Sequence, residues 1–210
     1  SERLDQAEAD ELARELVRRR GWGWPSMLLL FAALGVAQAC LIDQSLFSTD
    51  YMGYDGWEET RGATLIPALG LSAYNAYNFV LGHVIFSFGA PIAVGEAWRP
   101  KYARDPWLGR VGIGIALLAY AGAAALIVSD PESRSASPSQ VLISAAVVVA
   151  LVVGAAIVGS RHVPAEDGRH PVPIWATLLL GLVAALVSVL GGETWTGFVI
   201  GVVITGAVAL

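Results

Sequence analysis

Residues 74–96 read YNAYNFVLGHVIFSFGAPIAVGE and form one of several long apolar runs in the chain. A helix of about 20 mostly apolar residues crosses the ~30 Å hydrocarbon core of a bilayer, so this run predicts a membrane span. The run also carries amides, an imidazole and a terminal carboxylate. These groups are costly in hydrocarbon unless other groups pair with them. The run therefore predicts a transmembrane helix that makes polar contacts inside the protein.

The composition indicates the same class of protein. Of the 210 residues, 55% are hydrophobic and only 15% are charged, whereas about 25% charged residues is usual in a soluble domain. The mean hydropathy is +0.60. Cys40 is the only cysteine, which excludes intramolecular disulfides and metal sites built from several thiolates. We expect a polytopic membrane protein with no cofactor, no metal and no nucleic-acid partner.

Hydropathy predicts an all-α fold of six transmembrane helices, forming one domain over residues 25–210. All but Arg61 and Arg134 of the 13 Lys and Arg residues fall in segments that would share one side of the membrane with the N-terminus. The positive-inside rule then places both termini in the cytoplasm and predicts a multi-pass plasma-membrane protein. The predicted spans are Pro25–Ile42, Leu71–Ala97, Trp107–Val128, Gln140–Gly159, Val172–Leu190 and Thr194–Leu210.

Residues 1–24 predict a short amphipathic helix on the cytoplasmic side or at the membrane interface. Apolar residues recur every three or four positions, while acids dominate its start and Arg18–Arg20 its end, as the helix dipole favours. The favoured interpretation is a solvated arm whose arginines contact anionic lipid headgroups, and docking onto a partner is the alternative. At the inner end of the second span, Glu96 is expected to pair beside Arg99.

The second predicted span carries the polar residues most relevant to function. On a helix at about 100° per residue, Asn75 and Asn78 share a face with small residues, which predicts a helix–helix contact. His83 lies near mid-membrane, where an ionisable group marks a candidate functional site. Gln38 and Tyr120 from neighbouring spans would complete a ligand-binding pocket open to the outside. The favoured interpretation of these polar residues is a hydrogen-bond cluster that only holds the bundle together, and the pocket is the functional alternative.

The outer loop over residues 43–70 is predicted to be ordered, acidic and aromatic. Carboxylates and ring faces together attract cations, so this loop is a candidate site for a cationic ligand. The favoured interpretation is that its aromatic side chains rest on the bilayer surface, and the cation site is the alternative. The residues that define the candidate site are Asp50, Tyr54, Asp55 and Trp57.

Two short motifs carry a resemblance to a family of enzymes. Glu58-Glu59-Thr60-Arg61-Gly62 resembles a shortened first motif of the CAAX-type intramembrane proteases, and Phe79-Val-Leu-Gly-His83 resembles their second motif. The resemblance implies a hydrolase in which Glu58 or Glu59 activates water and His83 assists. However, the first motif has different spacing and lies in a polar loop, and the third motif is absent. A non-enzymatic role is therefore favoured, with the hydrolase as the alternative.

The predicted function is binding or transport of a small solute or lipid, or service as a subunit of a membrane assembly. The size and span count are similar to those of the solute-binding membrane components of energy-coupled importers. Gly197 and Gly201 form a GxxxG pattern in the last span, which favours close helix packing within the bundle, with a second copy or with a membrane-protein partner. Membrane lipids are the other expected partners.

Overall fold

A computed structural model of the chain describes residues 2–51, 53–161 and 192–209, and these are mostly helical. Short 3-10 turns lie at Ser45–Phe47, Pro100–Tyr102 and Pro131–Ser133. The longer elements, in chain order, are α1 (Glu2–Arg19), α2 (Trp24–Ala37), the π-helix π1 (Gln38–Ile42), α3 (Trp57–Ala63), β1 (Leu65–Ile66), β2 (Leu71–Ser72), α4 (Ala73–Gly82), the π-helix π2 (His83–Gly89), α5 (Ala90–Trp98), α6 (Arg110–Ser129), α7 (Pro138–Ser160) and α8 (Trp195–Ala209).

Four continuous helices in the described residues are long and apolar enough to cross a membrane: Trp24–Ile42, Ala73–Trp98, Arg110–Ser129 and Pro138–Ser160. They correspond to the first four predicted spans and support the predicted class. The predicted span Val172–Leu190 lies outside the described residues. The last predicted span coincides with α8, which has 15 residues and is shorter than the ~20 that a membrane crossing needs. The six-span count therefore stays a prediction.

The mostly helical structure agrees with the predicted all-α class, and it also contains a small β-hairpin before α4. Strand β1 pairs antiparallel with β2, so that Leu65 lies opposite Ser72 and Ile66 opposite Leu71. Gly70, with φ of +68°, provides the left-handed backbone of the turn. Strands of two residues are too short to leave an alternating pattern in the sequence, so hydropathy could not predict them.

The chain divides into two compact units, residues 1–48 with 79–163 and residues 49–78 with 164–210. The core of the first unit is built around Phe31 and Phe88, whose ring centroids lie 5.7 Å apart. In the second unit, the Tyr77 hydroxyl hydrogen-bonds to Thr205 at 2.8 Å, and its ring packs edge-on against Phe198. The other buried residues of the first core are Ala13, Val17, Met27, Leu30, Val84, Ile92 and Ala155.

Within the first unit, α2 and α7 pack closely because small residues lie between them. Ala155 and Gly159 are one helical turn apart on α7, and both are buried. The Ser26 hydroxyl of α2 donates to the Ala155 carbonyl at 2.9 Å. The indole of Trp22 covers Gly159 so tightly that a Cβ atom there would overlap the ring. This Ala155–Gly159 pair is the small-residue spacing that lets membrane helices approach each other.

The helix Ala73–Trp98 widens into a π-helix at its centre. At the end of π2 the Ala90 N–H donates to the Ile85 carbonyl, five residues back. Pro91 follows immediately and has no N–H, and in a regular α-helix its ring would clash with the Ser87 carbonyl. The wider turn therefore accommodates the proline without ending the helix.

Candidate functional site

A buried ionic cluster joins α1 to the end of α5. Glu96 is 7% exposed and Arg14 only 1%. Arg14 Nε donates to Glu96 Oε1 at 2.9 Å, and Arg18 Nη2 donates to both carboxylate oxygens at 2.7 Å. Positions 14 and 18 lie one turn apart on the same helical face. Glu96 thus pairs at the end of its helix, near Trp98 and Arg99 as expected, and its partners are two arginines of α1.

Arg14 directs its remaining donors to residues 99–109, called here the 99–109 loop. Its Nη1 donates to the Asp105 carbonyl at 3.1 Å and its Nη2 to the Ala103 carbonyl at 2.9 Å. Its guanidinium carbon lies 3.4 Å from the centroid of the Trp107 ring. Burial lowers the pKa of Arg14 from its ordinary value, while the Glu96 carboxylate raises it. Arginine stays protonated in proteins, so Arg14 is a fixed buried cation.

The side chain of Glu15 binds backbone groups of the same loop. Its Oε2 accepts from the N–H groups of Trp107 at 2.9 Å and Leu108 at 3.1 Å. Its Oε1 accepts from Arg19 Nε at 2.7 Å, and Arg19 Nη2 donates to the Leu108 carbonyl at 2.7 Å. The expectation of a solvated arm is therefore corrected, because α1 supplies hydrogen bonds to loop groups that no regular secondary structure satisfies.

Beside this cluster, the end of α5 and the 99–109 loop form a groove of ≈ 530 Å³. Aromatic rings and charged side chains share its walls, and Trp98 is 81% exposed. Gly95 also lines the groove, where a Cβ atom would come within 2.9 Å of the Trp107 ring. The chemically active lining residues are Trp98, Arg99, Tyr102, Asp105 and Trp107.

Sequence reasoning missed Arg14, Glu15 and the groove. The available signal was the spacing of charges on α1, where Arg14 with Arg18, and Glu15 with Arg19, recur at four residues. Such a face is usually solvated, and nothing in the sequence shows that residues 99–109 cover it. The aromatic residues of the groove lie at or near span ends, where aromatic side chains are common in membrane proteins, so their position alone does not indicate a groove.

Three of the predicted pocket residues lie in the first unit. The His83 Nδ1 atom hydrogen-bonds to Ser87 Oγ at 3.3 Å, and its ring stacks on Phe88 with 5.8 Å between centroids. Tyr120 packs, half-buried, against the core. Gln38 is the first residue of π1, as His83 is of π2. π-helical turns are frequent at functional sites, so both residues remain candidates.

The other two predicted pocket residues lie in the second unit and differ in environment. Asn75 is 4% exposed, and its Nδ2 has no hydrogen-bond partner among the described residues. Its backbone N–H donates to Ser72 Oγ at 3.2 Å, and Ser72 Oγ is 2.7 Å from Thr64 Oγ1. Asn78, by contrast, is exposed. The first turn of α4 thus contains a buried polar cluster with one unpaired amide donor.

In the outer-loop segment, Trp57 packs inside the second unit. It is buried, and its ring centroid lies 5.0 Å from that of Tyr51. Tyr54 is 66% exposed, and Asp50 and Asp55 are exposed as well. A cationic ligand therefore has access to these three side chains, while Trp57 serves to fold the segment.

The carboxylates of the hydrolase alternative lie on the first turn of α3. Glu58 and Glu59 are both exposed, and the next residue, Thr60, donates its hydroxyl to Glu193 Oε2 at 2.6 Å. Glu58 and Glu59 belong to the second unit and His83 to the first. The hydrolase alternative stays a prediction.

The GxxxG pattern of α8 makes a contact within its own unit. A Cβ atom on Gly201 would lie 2.9 Å from the Tyr77 ring, and Gly197 is buried. This close approach agrees with the interpretation that the glycines serve a neighbour in the bundle. A contact with a second copy or a partner protein through the same glycines stays a prediction.

The described fold defines a helical protein whose four long apolar helices indicate a membrane protein. Over the described residues, no group of three or more His, Cys, Asp or Glu side chains is placed to hold a metal ion. Comparison with protein-family models, curated proteins and solved structures gives no match.

Proposed function

We propose that this protein is a non-enzymatic component of the plasma membrane that binds or transports a small solute or lipid, or serves as a subunit of a membrane assembly. The observation that carries the proposal is the buried, unpaired Nδ2 of Asn75. Six spans with both termini in the cytoplasm belong to the same proposal, because the Lys and Arg distribution supports that topology.

The unpaired amide of Asn75 requires an acceptor that the described residues do not provide. Leaving a buried donor without a partner costs about 1–3 kcal/mol. The neighbouring hydroxyl oxygens of Thr64 and Ser72 accept from the backbone N–H groups of Tyr74, at 3.0 Å, and Asn75, and neither accepts from Asn75 Nδ2. A ligand carbonyl, carboxylate or phosphate oxygen would satisfy the donor, which supports a binding role for this region of the second span.

Replacing Asn75 by leucine is expected to remove a bound ligand without destabilising the protein. Leucine has the same branched shape, and removing an unsatisfied donor also removes its desolvation cost, so the melting temperature in detergent should stay unchanged or rise. Native mass spectrometry of the full chain, released from gentle detergent, would show the bound mass in the wild type and its loss in Asn75→Leu.

The matched control is Thr196→Val, which removes a polar group from an exposed position on α8 in the same unit. It should keep both the bound mass and the melting temperature. A fall of several degrees for Asn75→Leu, with no bound mass in the wild type, would assign Asn75 to folding alone. A co-purified polypeptide in place of a small mass would support the subunit form of the proposal.

A further inference from the structure

The groove formed by α5 and the 99–109 loop lies where two membrane-length helices end. The helix Ala73–Trp98 finishes at one side of the loop and Arg110–Ser129 begins at the other. A short connection between two spanning helices must lie at the level of the lipid headgroups. The groove is therefore positioned to contact lipid headgroups.

The lining of the groove combines one cation, one anion and three aromatic rings. Arg99 supplies a guanidinium, which binds a phosphate through paired hydrogen bonds. Asp105 supplies a carboxylate, and the exposed ring of Trp98 attracts a cation. The rings of Tyr102 and Trp107 already have Lys101 and Arg14 over one face. A zwitterionic group, with a phosphate beside an ammonium, matches this set of partners better than a purely anionic one.

The buried ionic cluster holds the groove in shape. Arg14 fixes the loop carbonyls and stacks over Trp107, and Glu15 accepts from two loop N–H groups. The Trp107 indole N–H donates to the Tyr102 carbonyl at 3.1 Å. A site that is already ordered loses less conformational entropy on binding. Arg14 and Glu15 are therefore positioning residues for the groove.

We propose that this groove binds the headgroup of a zwitterionic phospholipid, with the phosphate at Arg99 and the ammonium at Asp105 and the ring of Trp98. The proposal is independent of the role given to Asn75, because the residues of the two sites belong to different units. Either site can fail its test without affecting the other.

The test titrates the purified full chain in detergent with short-chain phosphatidylethanolamine, short-chain phosphatidylglycerol or free phosphoethanolamine, and counts bound ligand by native mass spectrometry. The wild type should bind phosphatidylethanolamine about three to ten times more tightly than phosphatidylglycerol, the range expected for one charge-assisted contact in a partly open site. Free phosphoethanolamine should bind more weakly than the lipid, because it lacks the acyl chains.

Two variants separate the roles of the charges. Arg99→Gln should weaken binding of both lipids about three- to tenfold, whereas Arg99→Lys should retain most of it. Asp105→Asn should weaken phosphatidylethanolamine binding alone and so erase the preference. Arg104→Gln is the matched control, since Arg104 is an exposed cation of the same loop that does not line the groove.

Equal losses for Arg99→Gln and Arg104→Gln would overturn the proposal, because they would indicate non-specific attraction to a basic loop. Equal binding of the two lipids by the wild type would overturn the zwitterionic assignment. Free phosphoethanolamine that binds as tightly as the lipid would show a soluble ligand and would overturn the assignment to a lipid. Melting temperatures equal to that of the wild type would show that the variants are folded.

Discussion

Replacing Glu96 by alanine is expected to lower the free energy of unfolding by about 3–5 kcal/mol. The change leaves Arg14, with its side chain only 1% exposed, as a buried cation without its carboxylate. It also removes both acceptors of Arg18 Nη2. Removing one partner of a buried ion pair costs this much because the remaining charge stays buried, with neither a counter-charge nor water to stabilise it. Denaturant unfolding of the full chain in detergent would measure the loss.

A second readout follows from the position of the arginines on α1. Release of α1 from the 99–109 loop would expose Arg14 and Arg18 to trypsin, so Glu96→Ala should be cleaved at these two positions faster than the wild type. Glu58→Ala is the matched control, because Glu58 is exposed on α3, and a surface change should stay within about 0.5 kcal/mol. If Glu96→Ala behaved like Glu58→Ala, the buried cluster would contribute nothing to stability.

The apolar helices were predictable because hydropathy depends little on tertiary contacts. The first four predicted spans agree with the helices within three residues at each end, as in Gln140–Gly159 against Pro138–Ser160. A long run of apolar side chains has few alternatives to a helix once water is absent, since every backbone group must be bonded internally. The sequence alone therefore determines the length and position of these elements.

The ionic cluster was not predictable, because its members are far apart in the chain. Glu96 is 82 residues from Arg14, and the sequence indicated only that it pairs near Trp98 and Arg99 at the end of its span. Closeness in sequence is a weak guide to the partner of a carboxylate at a helix end, because several arginines lie near it in the fold. Burial decides the outcome, because the carboxylate gains most from the two guanidinium groups that are themselves removed from water.

For the predicted pocket, too, the sequence did not show which polar residues are buried. Asn75 and Asn78 share a helical face by angle, yet Asn75 is buried and Asn78 is exposed. Asn75 lies in the first turn of α4, where Ser72 and Thr64 cap the helix. That cap depends on the hairpin β1–β2, whose short strands leave no periodic pattern. The angular position of a residue on a helix predicts which residues share its face. It does not predict how much of that face is buried by the rest of the protein.

Replacing Gly159 by alanine is expected to lower the free energy of unfolding by about 1–3 kcal/mol, although alanine is the better helix former. The added Cβ would overlap three atoms of the Trp22 indole. The indole cannot simply rotate away, because the overlapping atoms include those nearest its own backbone. Instead α7 must separate from α2, which weakens the contact at Ala155 and Ser26. Denaturant unfolding in detergent would measure the change.

Gly154→Ala is the matched control on the same helix, since a Cβ there would meet only Leu29, at an ordinary 3.9 Å. It should be neutral or stabilising by up to about 1 kcal/mol, because alanine loses less backbone entropy than glycine in a helix. Both variants remove the same glycine penalty, so the difference between them reports the overlap with Trp22. Combining Gly159→Ala with Trp22→Leu should recover part of the loss. Equal stability of the two alanine variants would mean that α2 and α7 do not depend on close approach at Gly159.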